Sequence, residues 1–431
     1  MKETNGFSSP NGHSNSQKIK KRSQKDSFTE KRYIVTLAFV VSLFMLWGIA
    51  MTMGDVLNRH FQQVLHISKS RSALVQFSLF GAYAVMGIPA GLFMKKFGYK
   101  NGVLLGLLLY ATGAFLFVPA ANAASFSFFR FAIFILACGL ATMETVAHPF
   151  VAVLGAQSSS AQRLNFAQGF NGLGGVLGST LGGYFILRAV HSNDLESVKV
   201  LYTSIGILLL LIAAAFFFLK VPPITETNDV KADAESLAVA TDPESLTHTK
   251  GLFKHKHFIW AIVAQFFNVA AQGGTWAFFI NYGVEKMGFT SEKAAYFFSF
   301  SMILKMGGRF VGAYLMRFIE PGKLLGLFAL GNILMCLLIA QSFGWPSFVA
   351  LIMLNFFFSI MFPTIYSLGL KDLGEHKQQA SSFIVMGVAG GAVFPPLMGL
   401  IANHNIAAAY YLPIICYAFI FLFALKLSKI R

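Results

Sequence analysis

The most regular feature of this chain is a series of apolar runs, each close to 20 residues long, that begins at Tyr33 and continues to the C-terminus. An α-helix rises about 1.5 Å per residue, so such a run covers the roughly 30 Å hydrocarbon core of a bilayer. The pattern predicts twelve membrane-spanning helices. We number them span one to span twelve and expect them at 33–60, 72–94, 101–121, 125–155, 164–190, 198–220, 257–285, 292–316, 322–343, 346–370, 378–402 and 408–427.

Polar segments divide these spans into two sets of six. The segment 221–256 opens with Pro222 and Pro223 and continues with Glu, Asp, Ser, Thr and Lys, with too little apolar content to pack a core. We therefore predict a polar N-terminal tail (1–32), a six-helix half (33–220), a linker (221–256) and a second six-helix half (257–431). The predicted fold class is an all-α membrane protein.

Basic residues mark one side of this arrangement. They crowd the start of span one and recur after spans two, eight and ten and at the C-terminus, whereas the connections 120–125 and 343–346 carry none. Because Lys and Arg near span ends hold loops in the cytoplasm, both termini and the linker are predicted to be cytoplasmic. The net charge of +16 then reflects topology and attraction to anionic lipid, without a nucleic-acid partner.

The composition agrees with a bilayer environment and argues against catalysis. Hydrophobic residues make up 55% of the chain and charged residues 12%, against about 25% charged in ordinary soluble domains. The sequence has no nucleotide-binding loop, no metal-ligand cluster and no nucleophile motif, so neither an enzyme nor a cofactor is expected. Cys138, Cys336 and Cys416 each fall inside a span and are interpreted as packing residues.

Polar residues inside the spans are the candidates for function, because an ionisable group in a bilayer is costly unless it faces a cavity or a partner. Asp55 in span one and Glu144 in span four are two such carboxylates. Other polar side chains recur at helical spacing, which places them on shared faces. These are Asn58 and Gln62; His148; Asn165, Gln168 and Asn171; Gln265, Asn268, Gln272 and Thr275; and Asn355, Ser359 and Tyr366.

The chemistry of these side chains indicates the class of solute. Amides and hydroxyls both donate and accept hydrogen bonds, and the rings of Trp276 and Tyr366 suit the apolar face of a sugar. A neutral solute with many hydroxyls fits this set better than a lipophilic drug. For any single polar residue, a role in holding helices together is the competing interpretation.

Ordered motifs resemble those of one family of sugar carriers. The loop Met94–Lys100 and its counterpart near Arg317 are similar to the signature loop of the major facilitator superfamily, whose halves are parallel repeats. Within it, the chain resembles the fucose:proton symporter family through Leu46-Trp47-Gly48 with Asp55, Glu144-Thr145, Arg163-Leu164-Asn165, Gln168, Asn171, Ala271-Gln272, Trp276, Gly308-Arg309-Phe310, Pro363-Thr364-Ile365 and Ser381–Met386.

The resemblance implies a symporter that carries a monosaccharide inward with a proton by alternating access. It implies proton coupling at Asp55 and sugar recognition at Glu144, with Gln168, Asn171 and Arg309 lining the cavity. His148, Gln272, Trp276 and Tyr366 complete the predicted binding set. The resemblance also implies a bacterial inner membrane, and we expect a monomer.

Departures from the family pattern leave the sugar open. Met51 and Thr52 stand where asparagines are usual, His148 where Asn is frequent, and Phe362 where Tyr is expected. The substrate could thus be a hexose, a deoxyhexose such as fucose, or an amino sugar. Rival interpretations are a sugar uniporter, a sodium-coupled carrier or an efflux carrier of the same fold, and a membrane receptor or enzyme that has lost transport.

Overall fold

The structure is a computed structural model in which residues 28–155, 160–187, 195–219, 252–316, 318–371 and 386–428, with positions 373, 380, 383 and 384, are described. The described residues form helices and turns and contain no strand. Most of the predicted tail and linker lies outside these residues, so the boundaries proposed at 32 and at 221–256 stay predictions.

Helices occupy the predicted spans, and the bounds agree to within a few residues wherever both ends are described. In the first half they are Ile34–Val64, Leu74–Phe115, Phe126–Val153, Ser160–Gly182 continued by a π-turn at Gly183–Leu187, and Glu196–Phe218. In the second half they are Lys256–Met287, Ser291–Leu315, Pro321–Gln341, Trp345–Phe358, Met361–Gly369, Gly390–Ala402 and Leu412–Leu422, with a π-turn at Phe423–Leu427. Short helices at Lys69–Ser72 and Phe117–Asn122 flank spans two and three.

The structure departs from the predicted spans at two places. Spans two and three form one helical segment interrupted at Gly98, whose φ of 80° lies in the left-handed region that glycine adopts without strain. Span ten is divided between Phe358 and Met361. Neither break contains a long loop.

Within the described residues, eight helices are long and apolar enough to cross a membrane. Predicted spans five, seven, eight and eleven are the ones outside this set; the helix of span eleven is short, and the other three are long but more polar. Spans five and seven carry amide stripes, and span eight carries Lys305 and Arg309. Polar side chains inside a bundle lower the apolarity of a helix without preventing it from spanning, because they need not face lipid.

Glycines bring span one close to span five. A side chain at Gly174 would overlap the carbonyl oxygen of Met45, and one at Gly178 would overlap that of Ile49. The backbones of the two helices are therefore in direct contact, as small residues allow in membrane bundles.

Gly174→Ala is expected to lower the thermal stability of the detergent-solubilised protein, because the added methyl group meets backbone that cannot move aside. Overpacking of this kind costs about 1–3 kcal/mol. Gly169→Ala on the same helix is the matched control, since nothing lies within 4 Å of the methyl group it would add. Equal unfolding temperatures for the two variants would contradict this packing.

The two halves are joined by hydrogen bonds at the end of the bundle that carries the loop between spans one and two, here called the Lys69 end. The Lys69 ammonium forms an ion pair of 2.9 Å with Glu285 and donates to the Ala402 carbonyl at 2.7 Å, while its backbone N–H donates to Asn403 at 2.8 Å. One residue of the short helix before span two thereby contacts the ends of spans seven and eleven.

Deeper hydrogen bonds continue this contact toward the middle of the bundle. The Asn58 amide donates to the Ala277 carbonyl at 2.5 Å, and the hydroxyls of Ser179 and Ser299 lie 2.7 Å apart. The hydrogen bonds between described residues of the two halves thus lie between the Lys69 end and the middle.

Each half has its own large hydrophobic core, and a third, small cluster lies between the halves. We call it the bridging cluster; it consists of buried Phe80, Val269 and Ala392 with Met51, Phe362 and Val388 packed against them. Met51 and Phe362, two of the residues that depart from the family pattern, therefore belong to one apolar contact.

Candidate proton and substrate sites

Asp55 is buried between the two halves. Its side chain is 2% exposed, and the Gln76 amide of span two donates a hydrogen bond of 2.5 Å to Oδ1. Lys305 of span eight interacts with it electrostatically. Asp55 stands nine residues before Val64, where the helix of span one ends. At a rise of about 1.5 Å per residue, this is about 14 Å from the Lys69 end.

Glu144 lies deeper and is half-buried. The Tyr83 hydroxyl donates to its carboxylate, and the Trp47 indole N–H donates to the Tyr83 oxygen. Eighteen residues separate Glu144 from the start of span four, so it stands about 27 Å from the Lys69 end. The two carboxylates therefore occupy different levels of the bundle and have different partners.

His148 connects Glu144 to span five. One ring nitrogen, Nδ1, lies 2.8 Å from the Glu144 carbonyl, and Nε2 lies 3.1 Å from the Gln168 amide nitrogen. Because a carbonyl only accepts, Nδ1 donates to it, and in this orientation of the amide Nε2 accepts from Gln168. The edge of the ring also contacts Phe44, with centroids 5.0 Å apart.

A narrow cleft opens beside this group. It is lined by Leu43, Phe44, Trp47, Met143, Glu144 and Ala147. Its volume of about 10 Å³ holds about one water molecule, so it is too small for a sugar. In this conformation the cleft therefore does not admit a sugar ring.

The second half contributes an aromatic and basic group. Trp276 is buried, and its indole N–H donates to Asn355 at 2.8 Å, while the Asn355 amide donates to Ser301 at 3.0 Å. The ammonium of Lys305 lies 4.1 Å from the centroid of the Trp276 ring, which is a cation–π contact. Trp276 thus supports a cation beside the contact between the halves.

The remaining predicted residues are placed as follows. Gln272, Arg309 and Tyr366 are half-buried, and the buried Nε of Arg309 has no hydrogen-bond partner among the described residues. The Asn171 amide donates to the Phe44 carbonyl at 3.2 Å, which ties span five to span one. The Gln62 amide donates to the Ser72 hydroxyl at 2.8 Å, so Asn58 and Gln62 contact other helices.

Three residues of these sites were not predicted from the sequence: Gln76, Tyr83 and Lys305. Gln76 and Tyr83 are seven residues apart, two turns of span two, so they share the face on which one contacts Asp55 and the other Glu144. The sequence alone shows this spacing, so it could have identified both residues as members of one polar face. Lys305 could have been found as a lysine in the middle of span eight.

Comparisons with known proteins agree with this architecture. Residues 35–395 match the model of the Major Facilitator Superfamily. The L-fucose-proton symporter of Escherichia coli (strain K12) is 37% identical, covering 93% of this chain and 94% of its own, and the glucose/galactose transporter of Brucella abortus (strain 2308) is 30% identical, covering 94% and 97%.

A solved structure has the same fold. It is the crystal structure of the transporter FucP in the outward conformation, which is 34% identical, gives a TM-score of 0.67 and covers 93% of this chain and 100% of that one. The apolar helices fit a multi-pass membrane protein with the twelve-helix fold of these carriers. The chain therefore belongs to the Major Facilitator Superfamily and, within it, to the fucose:proton symporter family.

Proposed function

We propose that this protein is a secondary active transporter that carries a monosaccharide into the cell together with a proton, by alternating access and without catalysis. The relatives named above are sugar carriers, and the first is coupled to protons. The observation that carries the proposal is the pair of carboxylates in one half. Asp55 is buried and accepts a hydrogen bond from the Gln76 amide, whereas Glu144 is half-buried and accepts one from the Tyr83 hydroxyl.

Asp55 serves as the proton site in this proposal. A carboxylate removed from water takes up a proton more readily, because burial disfavours its charged form. The proton cancels the charge that would otherwise oppose movement of the site between the two sides of the membrane. The Gln76 amide holds the side chain in place in both states.

Glu144 serves as the main sugar anchor. A carboxylate accepts hydrogen bonds from neighbouring sugar hydroxyls, and such charge-assisted bonds are stronger than neutral ones. Tyr83, His148 and Gln168 fix its surroundings, and Trp47 borders the cleft beside it. Gln272, Trp276, Arg309, Tyr366 and Asn171 complete the proposed cavity.

The orientation follows from the distribution of basic residues. With both termini in the cytoplasm, the Lys69 end faces outward, and the hydrogen bonds there close the outer entrance. The structure is then closed toward the outside. We place the protein in a bacterial inner membrane as a monomer, with no nucleic-acid partner. The membrane potential assists inward movement by about 2.3 kcal/mol per charge per 100 mV.

The decisive experiment is to add sugars one at a time to an unbuffered, energy-depleted suspension of expressing cells and to record external pH. Alkalinisation with one sugar is expected, because the proton and the sugar enter together. A labelled sugar that enters without a pH change would contradict proton symport and favour a uniporter or, if uptake requires sodium, a sodium-coupled carrier.

A further inference from the structure

Lys305 is a cation in the interior of the membrane that the functions assigned above leave unused. It stands fourteen residues after the start of span eight, about 21 Å from the Lys69 end, and so lies between the levels of Asp55 and Glu144. Its ammonium faces two aromatic rings, at 4.1 Å from the Trp276 centroid and 5.4 Å from that of Phe358. These rings hold the charge near the contact between the halves.

The charges that act on this ammonium come from both halves. Asp55 of span one attracts it, and Arg309, one turn along span eight, repels it. Asp55 is brought near this group by Asn58, one turn along span one, whose amide donates at 2.5 Å to the carbonyl of Ala277, the residue after Trp276. Arg59, one turn from Asp55 on span one, is engaged elsewhere: it donates to Ser291 at 3.3 Å and interacts with Glu285. His60 of span one is buried beside Phe61, with ring centroids 6.2 Å apart.

We propose that Lys305 is the counter-ion that allows Asp55 to release its proton, by balancing the ionised carboxylate across the contact between the two halves. This inference rests on the proposed function, in which Asp55 carries the proton. When the O–H bond of the Asp55 carboxyl group breaks, the proton passes to water on the cytoplasmic side and the electron pair stays on the carboxylate.

The geometry assigns this role because the attraction exists only in the deprotonated carrier. Once Asp55 is protonated, the ammonium retains its aromatic contacts and loses its counter-charge, so the halves are held together less strongly. Lys305 is therefore a positioning residue for the proton step and acts through Asp55.

Lys305→Met tests this role, because methionine keeps the length of the side chain and removes its charge. Two readouts are needed in proteoliposomes: net proton-driven uptake, which requires Asp55 to lose its proton, and sugar counterflow, which does not. Net uptake is expected to fall about tenfold or more, and the pH at which counterflow falls by half is expected to rise by about one unit or more, since a nearby positive charge shifts a carboxylate by this amount.

Matched variants separate this role from a structural one. The pH at which counterflow falls by half is called the pH limit below. Lys305→Arg keeps the charge, so its pH limit is expected to equal that of the wild type. Lys293→Met removes another lysine of the same helix that also lies over a ring, 4.5 Å from Phe289, but is exposed; it is expected to behave as the wild type. Lys305→Gln is a second neutral variant if Lys305→Met is poorly expressed.

These experiments distinguish failure of the counter-ion role of Lys305 from failure of Asp55 as the proton site. An unchanged pH limit in both neutral variants, with or without weaker sugar binding, would overturn the counter-ion role. Asp55→Asn is the reference: if its counterflow loses its pH limit while Lys305→Met matches the wild type, only this inference fails. If Asp55→Asn keeps the pH limit, the assignment of the proton site to Asp55 fails first.

Discussion

An Asp55→Asn carrier is expected to equilibrate its sugar across the membrane without accumulating it. Asparagine resembles the protonated carboxyl group in shape and neutrality but binds and releases no proton, so the proton gradient no longer drives uptake. A potential of 100 mV contributes about 2.3 kcal/mol per charge, which corresponds to about 50-fold accumulation. The steady-state ratio of internal to external labelled sugar should therefore fall to about one.

Counterflow in the same variant is expected to continue, because exchange of one sugar for another requires no deprotonation. Glu320→Gln is the matched control, since Glu320 is 69% exposed at the start of span nine and pairs with Lys323. Accumulation that survives in Asp55→Asn vesicles would show that another group carries the proton.

Glu144→Gln is expected to weaken sugar binding about 10- to 100-fold while proton coupling persists at saturating sugar. The estimate follows from hydrogen bonds to a charged group, each of which contributes about 1.5–3 kcal/mol. Half-saturation in counterflow, or calorimetric titration of the purified protein, measures the effect. Tyr83→Phe removes one donor to the carboxylate and is expected to have a smaller effect in the same direction.

The separate roles of the two carboxylates are tested by whether Glu144→Gln changes only the affinity for sugar or also the coupling to protons. If Glu144→Gln abolished sugar-induced alkalinisation even at saturating sugar, the carboxylate would be part of the proton site, and the separate roles given to Asp55 and Glu144 would be wrong. Glu320→Gln again supplies the control for loss of a carboxylate elsewhere.

The helices could be predicted from the sequence because the bilayer imposes a length on every apolar run. The predicted span 322–343 appears as Pro321–Gln341, and 257–285 as Lys256–Met287. The breaks at Gly98 and between Phe358 and Met361 were not predicted, because hydropathy does not register the backbone conformation of single residues.

The candidate site could be predicted only in part. The sequence singled out Asp55, Glu144, His148 and Gln168, because polar residues in apolar surroundings are conspicuous, and the structure brings the last three together. Their partners Gln76 and Tyr83 were missed, since which faces of spans one, two and four meet is decided by packing between helices. Lys305 was missed although it stands in the middle of span eight, and its contact with Trp276 depends on packing that the sequence does not give.

The bridging cluster also bears on whether protons leak through the carrier. Protons travel along chains of water or titratable groups, and Phe80, Val269, Ala392, Met51, Phe362 and Val388 offer neither. Met51 lies one turn from Asp55 on the side toward Glu144, so apolar side chains border the carboxylate on that side, while the hydrogen bonds of Lys69 and Asn58 join the halves on the other side. Apolar side chains neither bind nor pass on protons, so this part of the contact between the halves adds no step to a proton leak while the carrier stands in the membrane.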